Sequence, residues 1–460
     1  MKTAIKSLGL AILGIGLFTG CAKKPSASSW TPDKSEASVQ LRTFFAEKEA
    51  QANAAVKAGG QEAPPEFKTF FAAAQKGDWL TVSNAFEDFR KHTGRYEHSG
   101  KTDERLRGTA WAAVMETYGA MGQFAIGDEK YAAAFGNDII ESIPPGSIYF
   151  GGTDPGRFLV TALSESHVNG KPFFTLTQNA LVDGGYLEYL HSMYDGKIRI
   201  PTDEDSRICF QDYMTDAQQR AQNNQLKPGE DVREVDGKVQ VSGQIAVMAV
   251  NGLLVKTVFD KNPDREFFIE ESFPLDWMYP YLEPHGLIMK INRQPLGEMS
   301  DEMVRRDHDY WTKYVTPMIG DWLNDDMPVG EVTAFAEKVF ARRDFGGFKG
   351  DPHFIQSTEA QKMFSKLRSS IAGVYVWRIE HAANPSEKER MVREADFAFR
   401  QSLALCPYSP EAVFRYVDFL LKQGRSSDAI LVASTSLELD PENVQVKNLV
   451  SQLKRNARAK

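Results

Sequence analysis

The sequence predicts a chain of mixed class, α/β plus all-α, in which a parallel-sheet domain is flanked by helices on both sides. Three observations predict it. Helical apolar spacing runs nearly unbroken over residues 38–143. Short β-rich runs then alternate with helical segments: SIYF with PGRFLVTALSESH, FFTLT with YLEYLHSMY, and KIRIPT with RICFQDYMTDAQQRA. From residue 297 the spacing is helical again. Three successive strand-helix units imply parallel strands joined by right-handed crossovers, so residues 144–296 are expected to form a Rossmann-like domain.

The chain opens on an export signal. Lys2 and Lys6 precede an apolar run from Leu8 to Phe18 that is too short to span a bilayer, which marks residues 1–20 as a signal peptide. Thr19-Gly20-Cys21 resembles a bacterial lipobox, with Phe18 where that family usually has Leu. The resemblance implies acylation of Cys21 and a lipid-anchored protein of the bacterial cell envelope. Ala22 points, by the same resemblance, to the outer membrane facing the periplasm. An ordinary signal peptide followed by an unrelated cysteine is the other reading. Residues 21–37, rich in Lys, Pro and Ser, are expected to be a tether. Two acyl chains suffice to hold such a protein at a membrane surface.

The formal charge is −8, and removing Lys2 and Lys6 takes it to −10. Without a long basic block, nucleic acid is a poor partner for this chain. Cys209 and Cys406 lie far apart inside apolar helical patterns, which suits buried thiols better than a disulfide.

Within residues 38–143, PPEFKTFFAAAQKGDWLTVSNAFEDFRKHTG reads as two helices turning at Lys76-Gly77-Asp78. Phe67, Phe70 and Phe71 form one stripe, and Val82, Phe86 and Phe89 the other. REVDGKVQVS predicts a hairpin around Asp236-Gly237, QIAVMAVNGLLVKTVF a helix, and REFFIEES and GLIMKIN two later strands. Residues 297–370 are expected to be a helical connector. Over residues 371–460, Pro407 and Pro441 stand 34 residues apart, Ser402-Leu403 matches Ser436-Leu437, and Ala395 matches Ala429. This pattern resembles the tetratricopeptide repeat. The resemblance puts Gly424 at the inter-helix turn and Ala429 at the close-packing position, and it implies a protein partner for these repeats. The segment VQVKNLVSQLKRNARAK reads as a solvating cap helix.

The candidate ligand site is the turn GGTDPGR. Gly151 and Gly152 connect strand to helix, and Asp154 is expected to cap a helix starting at Pro155. Turns at the carboxyl ends of parallel strands hold ligands in open α/β sheets, and helix starts favour anions. Arg157 is a cation at the end of the helix that disfavours it, so Asp154, Asp183 or a bound anion should compensate it. Two readings of Gly151, Gly152, Thr153, Asp154 and Arg157 therefore stand: a structural turn with an Arg–carboxylate contact, or a ligand site. There is no GxGxxG, GK[ST], HExxH or GxSxG, so no catalytic residue, metal ligand or cofactor is assigned. His285 and His308 read as packing or surface histidines, and Asp203 to Asp205 as a helix start. The aromatic run FPLDWMYPYLEP suits either a packed junction or a sugar-stacking surface.

The order IPPGSIYFGGTDPGRF, FFTLTQNALVDGGYLEYL and REFFIEESFPLDWMYPYLEPHGLIMKI resembles the soluble C-terminal portion of a multi-spanning membrane family that includes protein O-mannosyltransferases. Asn179-Ala180-Leu181 and Leu282 to Leu287 carry the match, while Thr153-Pro155 departs from that family's turn. The resemblance adds Asn179 to the candidate site and implies a glycan as a possible ligand, but the family's catalytic membrane half has no counterpart here. Two functions are thus expected. One is a non-catalytic, lipid-anchored scaffold that binds a protein partner through its repeats, and the other an enzyme or accessory subunit of envelope glycan transfer acting at the Gly151–Arg157 turn.

Overall fold

A computed structural model describes residues 36–94, 101–227, 229–235, 238–270 and 275–458. The expected signal peptide, Cys21, nearly all of the expected tether and the expected turn at Asp236-Gly237 lie outside these residues. In chain order the elements are α1 (Glu36–Ala58), α2 (Pro65–Lys76), α3 (Trp79–Lys91), α4 (Gly108–Ile126), α5 (Glu129–Ser142), β1 (Ile148–Gly151), α6 (Asp154–Leu163), β2 (Phe174–Thr177), α7 (Gly184–Tyr194) and α8 (Asp203–Gln222). Next come β3 (Asp231–Val235), β4 (Lys238–Ser242), α9 (Gly243–Lys261), β5 (Phe267–Ile269), β6 (Leu282–His285), β7 (Ile288–Ile291), α10 (Asp301–Ile319) and α11 (Val329–Ala336). The chain closes with α12 (Pro352–Gln356), α13 (Thr358–Glu380), α14 (Pro385–Leu405), α15 (Pro410–Lys422), α16 (Ser426–Leu439) and α17 (Val444–Arg458).

The protein is thus mixed α/β and mostly helical, with one small sheet of order β2-β1-β5-β7-β6 and a separate β3-β4 hairpin. β1 and β2 pair in parallel, Ile148 opposite Phe174, as the α6 crossover requires. β6 and β7 pair antiparallel, so the sheet is mixed and not wholly parallel as the sequence led us to expect. The third expected strand, KIRIPT, is also absent. Ile198 and Ile200 are buried as in a strand, but the Asn262 amide occupies the neighbouring position: its Oδ1 accepts from Arg199 N at 2.7 Å and its Nδ2 donates to Arg199 O at 3.0 Å. A side chain here does what a partner strand would do.

The chain divides into two compact units, Met1–Glu129 with Ile143–Phe267, and Lys130–Ser142 with Phe268–Lys460. In the first unit, α2 and α3 form the expected hairpin. Gly77 turns at φ +77, and its amide and that of Asp78 close the end of α2, while the Asp78 side chain caps α3 by accepting from Thr81 N at 3.1 Å. All six stripe residues are buried, with Phe70 and Phe89 edge to face at 5.6 Å between ring centres. α4 is buried on nearly every side. It admits α6 closely because position 119 is glycine, where a Cβ would lie 2.3 Å from the Phe158 ring.

In the second unit, α13 and α14 approach through reciprocal hydroxyl bonds, Ser365 Oγ to Ser402 O and Ser402 Oγ to Ser365 O, both 2.8 Å. Small serines here let two long helices pack tightly while satisfying their own hydroxyls. α15 and α16 turn at Gly424, φ +74, and Ala429 is fully buried. Cys209 and Cys406 are both free and buried.

The Asn262 bridge gives a direct test. Asn262→Leu strands Arg199 N and O without their partner, and should lower stability to urea by about 1–3 kcal/mol. A loss under about 0.5 kcal/mol would mean that burial of Ile198 and Ile200 alone holds this segment.

Candidate functional site

The turn after β1 is built by close packing. A Cβ at Gly151 would lie 3.1 Å from both Arg157 Cα and Gly156 O, so any side chain there would have to push the start of α6 a few tenths of an ångström off the strand end. Thr153, in extended conformation, caps α6 by accepting from Gly156 N at 3.0 Å. Helix α6 therefore starts at Asp154, and Asp154 is not its N-cap as the sequence suggested. The Asp154 carboxylate turns instead to Arg157, with Nη2 to Oδ1 at 3.0 Å, while the guanidinium lies 4.1 Å over the Phe158 ring. Asp183 serves elsewhere, capping α7 by accepting from Gly185 N at 2.8 Å.

Asn179 joins this turn from the end of β2, its Nδ2 3.4 Å from Gly152 O. Asn251 on α9 fixes it in turn, donating to Asn179 O at 3.1 Å and accepting from Val182 N at 2.9 Å. All six candidate residues are thus placed around one strand-end turn, with Gly152 touching Asn179 and Asp154 touching Arg157. Thr153, Asp154 and Asn179 each place a side-chain atom within the turn, whereas Arg157 Nε is buried without a hydrogen bond.

A second centre in the same unit involves residues not singled out in the sequence. Lys48, fully buried on α1, donates to Glu116 Oε2 on α4 at 2.6 Å, to the Tyr189 hydroxyl on α7 at 2.6 Å, and to Gln51 Oε1 at 3.1 Å. Tyr189 OH also meets Glu116 Oε2 at 2.6 Å. His167 Nε2 lies 3.5 Å from the same carboxylate oxygen, and its Nδ1 is 3.1 Å from the Tyr194 hydroxyl. Nearby, Ser166 Oγ donates to Glu47 Oε1 at 2.8 Å.

Burial dominates the electrostatics of this network. It lowers Lys48 below the usual lysine range against the pull of Glu116, and it lowers His167 as well. Burial alone would raise Glu116, but Lys48 and His167 outweigh it and hold the carboxyl well below the usual range. Tyr189 and Tyr194 are pushed far above the ordinary tyrosine value, chiefly by burial, and stay protonated donors. The arrangement can hold a proton fixed between several groups, and its geometry is that of a structural tie.

Two sequence signals could have found it. Lys48 sits on the stripe Leu41, Phe44, Phe45, Ala52, Val56, every member of which is buried. Glu116 is the one charge within AWAAVMETYGAM, the core of a helix buried on nearly every side.

Among the described residues no group of three or more His, Cys, Asp or Glu side chains is placed to hold a metal ion, and no helix is long and apolar enough to cross a membrane. His308 stacks on Phe397 at 4.6 Å and reaches Glu394 at 3.2 Å, which raises its pKa above the usual value. His285 bonds Ser142 O at 2.8 Å, and in the aromatic run Tyr279 stacks on Trp377 at 5.8 Å. No protein-family model matches the chain, and comparison with curated proteins and with solved structures gives no match either.

The lowered pKa of His167 fixes the sign of an acid response. Unfolded, the imidazole takes up its proton near pH 6.5, while the folded protein resists it, so stability falls as pH drops below about 6.5, by up to ~1.4 kcal/mol per pH unit from this group. Glu116 adds a further loss once the pH falls below about 4.3, the ordinary range of an unfolded glutamate. Urea midpoints measured from pH 7.5 to 5 should therefore fall more steeply for the native sequence than for His167→Gln. Equal slopes would remove His167 from the account.

Proposed function

We propose that this protein is a non-catalytic binding protein of the bacterial cell envelope, anchored by lipid at Cys21, whose C-terminal helices receive a protein partner. The observation that carries the reading is an apolar pair on α15. Phe414 and Leu421, seven residues apart and so on one helix face, are exposed, while Val413, Tyr416, Val417 and Leu420 on the same helix are buried. Leu431 on α16 and Val444 at the start of α17 are exposed too. A tetratricopeptide-like reading of α15 and α16 is supported by the left-handed Gly424, the buried Ala429 and the 34-residue spacing of Pro407 and Pro441. Stacked helical hairpins of this kind present extended surfaces to partners. The Thr19-Gly20-Cys21 pattern supports the anchor and an outer-membrane, periplasm-facing location.

A second reading is favoured by Arg157 Nε, a buried donor that makes no hydrogen bond. In a Rossmann-like domain a turn at the carboxyl end of β1 suits an anionic or polyhydroxyl ligand, and envelope glycan is the class that the resemblance suggests. Under it the protein is an enzyme or accessory subunit of glycan transfer.

The test uses the full chain in its own membranes. Phe414→Asp with Leu421→Asp alters exposed positions, so the melting temperature should hold while the partner that co-purifies from solubilised envelope is retained at least ~10-fold less, the scale of losing central apolar anchors. Cys21→Ser should move the protein out of the membrane fraction. An unchanged set of co-purifying proteins, or a Cys21→Ser variant still resistant to salt washing, contradicts the corresponding half of the proposal.

A further inference from the structure

A cleft of about 510 Å³ opens in the first unit between α1, the segment entering α4, and α7. Its size is that of a small-molecule site. Ala54, Ala55 and Ala58 line it with short apolar side chains, and charges of both signs stand beside them. Glu188 contributes a carboxylate that has no ion-pair partner among the described residues. Arg107 contributes a guanidinium that uses only part of its donor set on the half-exposed Glu104, at 2.6 Å. Between these two charges lies Gly108, at φ +51, where a Cβ would come within 3.0 Å of Glu188 Oε2. A side chain here would be strained at this positive φ and would press on the carboxylate.

The walls are held from beneath. Gln51 lines the cleft, and its Oε1 is taken by the buried Lys48 ammonium at 3.1 Å, which leaves its Nε2 as a donor. Thr109 and Ser192, on opposite walls, are bonded at 3.3 Å. Glu188 directly precedes Tyr189, whose hydroxyl is fixed by Lys48 and Glu116. An exposed carboxylate, an amide donor oriented by Lys48 and a guanidinium stand beside three alanines in one cleft.

We infer that this cleft binds a small zwitterion of the amino-acid and short-peptide class, its ammonium on Glu188, its carboxylate on Arg107 and a backbone carbonyl on Gln51 Nε2. A simple anion would meet Glu188, and a simple cation would meet Arg107. A molecule carrying both charges is the ligand that neither wall repels. The short floor suits methyl-sized side chains.

The probe is L-alanyl-L-alanine, titrated by calorimetry into the full mature chain, alongside its N-acetyl and C-amide derivatives. Saturable binding of the free dipeptide is expected, weakened at least ~10-fold by N-acetylation, by C-amidation, by Glu188→Gln and by Arg107→Ala, the scale of one charge-assisted contact. In Glu188→Gln, N-acetylation should cost nothing further. All these groups are at the surface, so the variants should fold as the native chain does, which circular dichroism checks. No saturable binding of the free dipeptide, or equal binding of its N-acetyl form by the native chain, would overturn the assignment.

Discussion

Much of the first unit depends on the ion pair between Lys48 and Glu116. Each charge loses its water on burial, at a cost of several kcal/mol, and their attraction offsets that cost only if every remaining donor and acceptor is also met. Here they are met. Lys48 has three acceptors, and the carboxylate oxygen it touches is shared with Tyr189 and faces His167. Because these groups come from α1, α4, α7 and the short helical turn at His167, the pair fixes how three helices and a loop stand against one another. A purely apolar seam would let α1 slide or rotate, whereas one buried charge admits a single register. The second unit holds a comparable pair of its own, Arg368 with Asp307 at 2.7 Å, braced by Tyr375 and Gln401.

Both candidate sites of the first unit follow from rigid supports of this kind. The turn at Gly151 has its shape from glycine packing, a threonine cap and an asparagine bridge, and Arg157 is held by Asp154 and Phe158 before any ligand is considered. At the cleft by Gly108 the buried pair reaches the lining through Gln51, whose amide oxygen Lys48 holds. At the turn one buried donor, Arg157 Nε, makes no hydrogen bond, while the cleft brings together a carboxylate, a guanidinium and an amide.

The helices were legible because their signals are local: stripes at 3.6-residue spacing, glycine at Gly77 and Gly424, and acidic helix starts at Asp78 and at Asp203 to Asp205. β1, β2, β5 and β7 were legible for the same reason. What failed depends on contacts distant in sequence. Residues 197–202 have the composition of a strand, but nothing local reveals that the Asn262 amide takes the partner's place. β6 was not foreseen, and its antiparallel pairing with β7 is set by a two-residue turn that reverses the chain within EPHGLI. At the candidate site, the Arg157–Asp154 contact was one of the foreseen alternatives, since i and i+3 share a helix face, whereas the choice of Thr153 over Asp154 as cap rests on one residue's backbone angles. Lys48, Glu116 and His167 were missed because a charge on an apolar stripe has meaning only once its partner, far along the chain, is known.

A double-mutant cycle on the buried pair tests the account most directly. Lys48→Met alone leaves the Glu116 carboxylate buried and unmatched, and should lower the urea-derived stability by about 3–5 kcal/mol. Adding Glu116→Leu removes the stranded charge, so the double variant should regain most of that loss. Additive losses in the double variant, or a Lys48→Met variant within about 1 kcal/mol of the native protein, would contradict the claim that this pair organises the first unit.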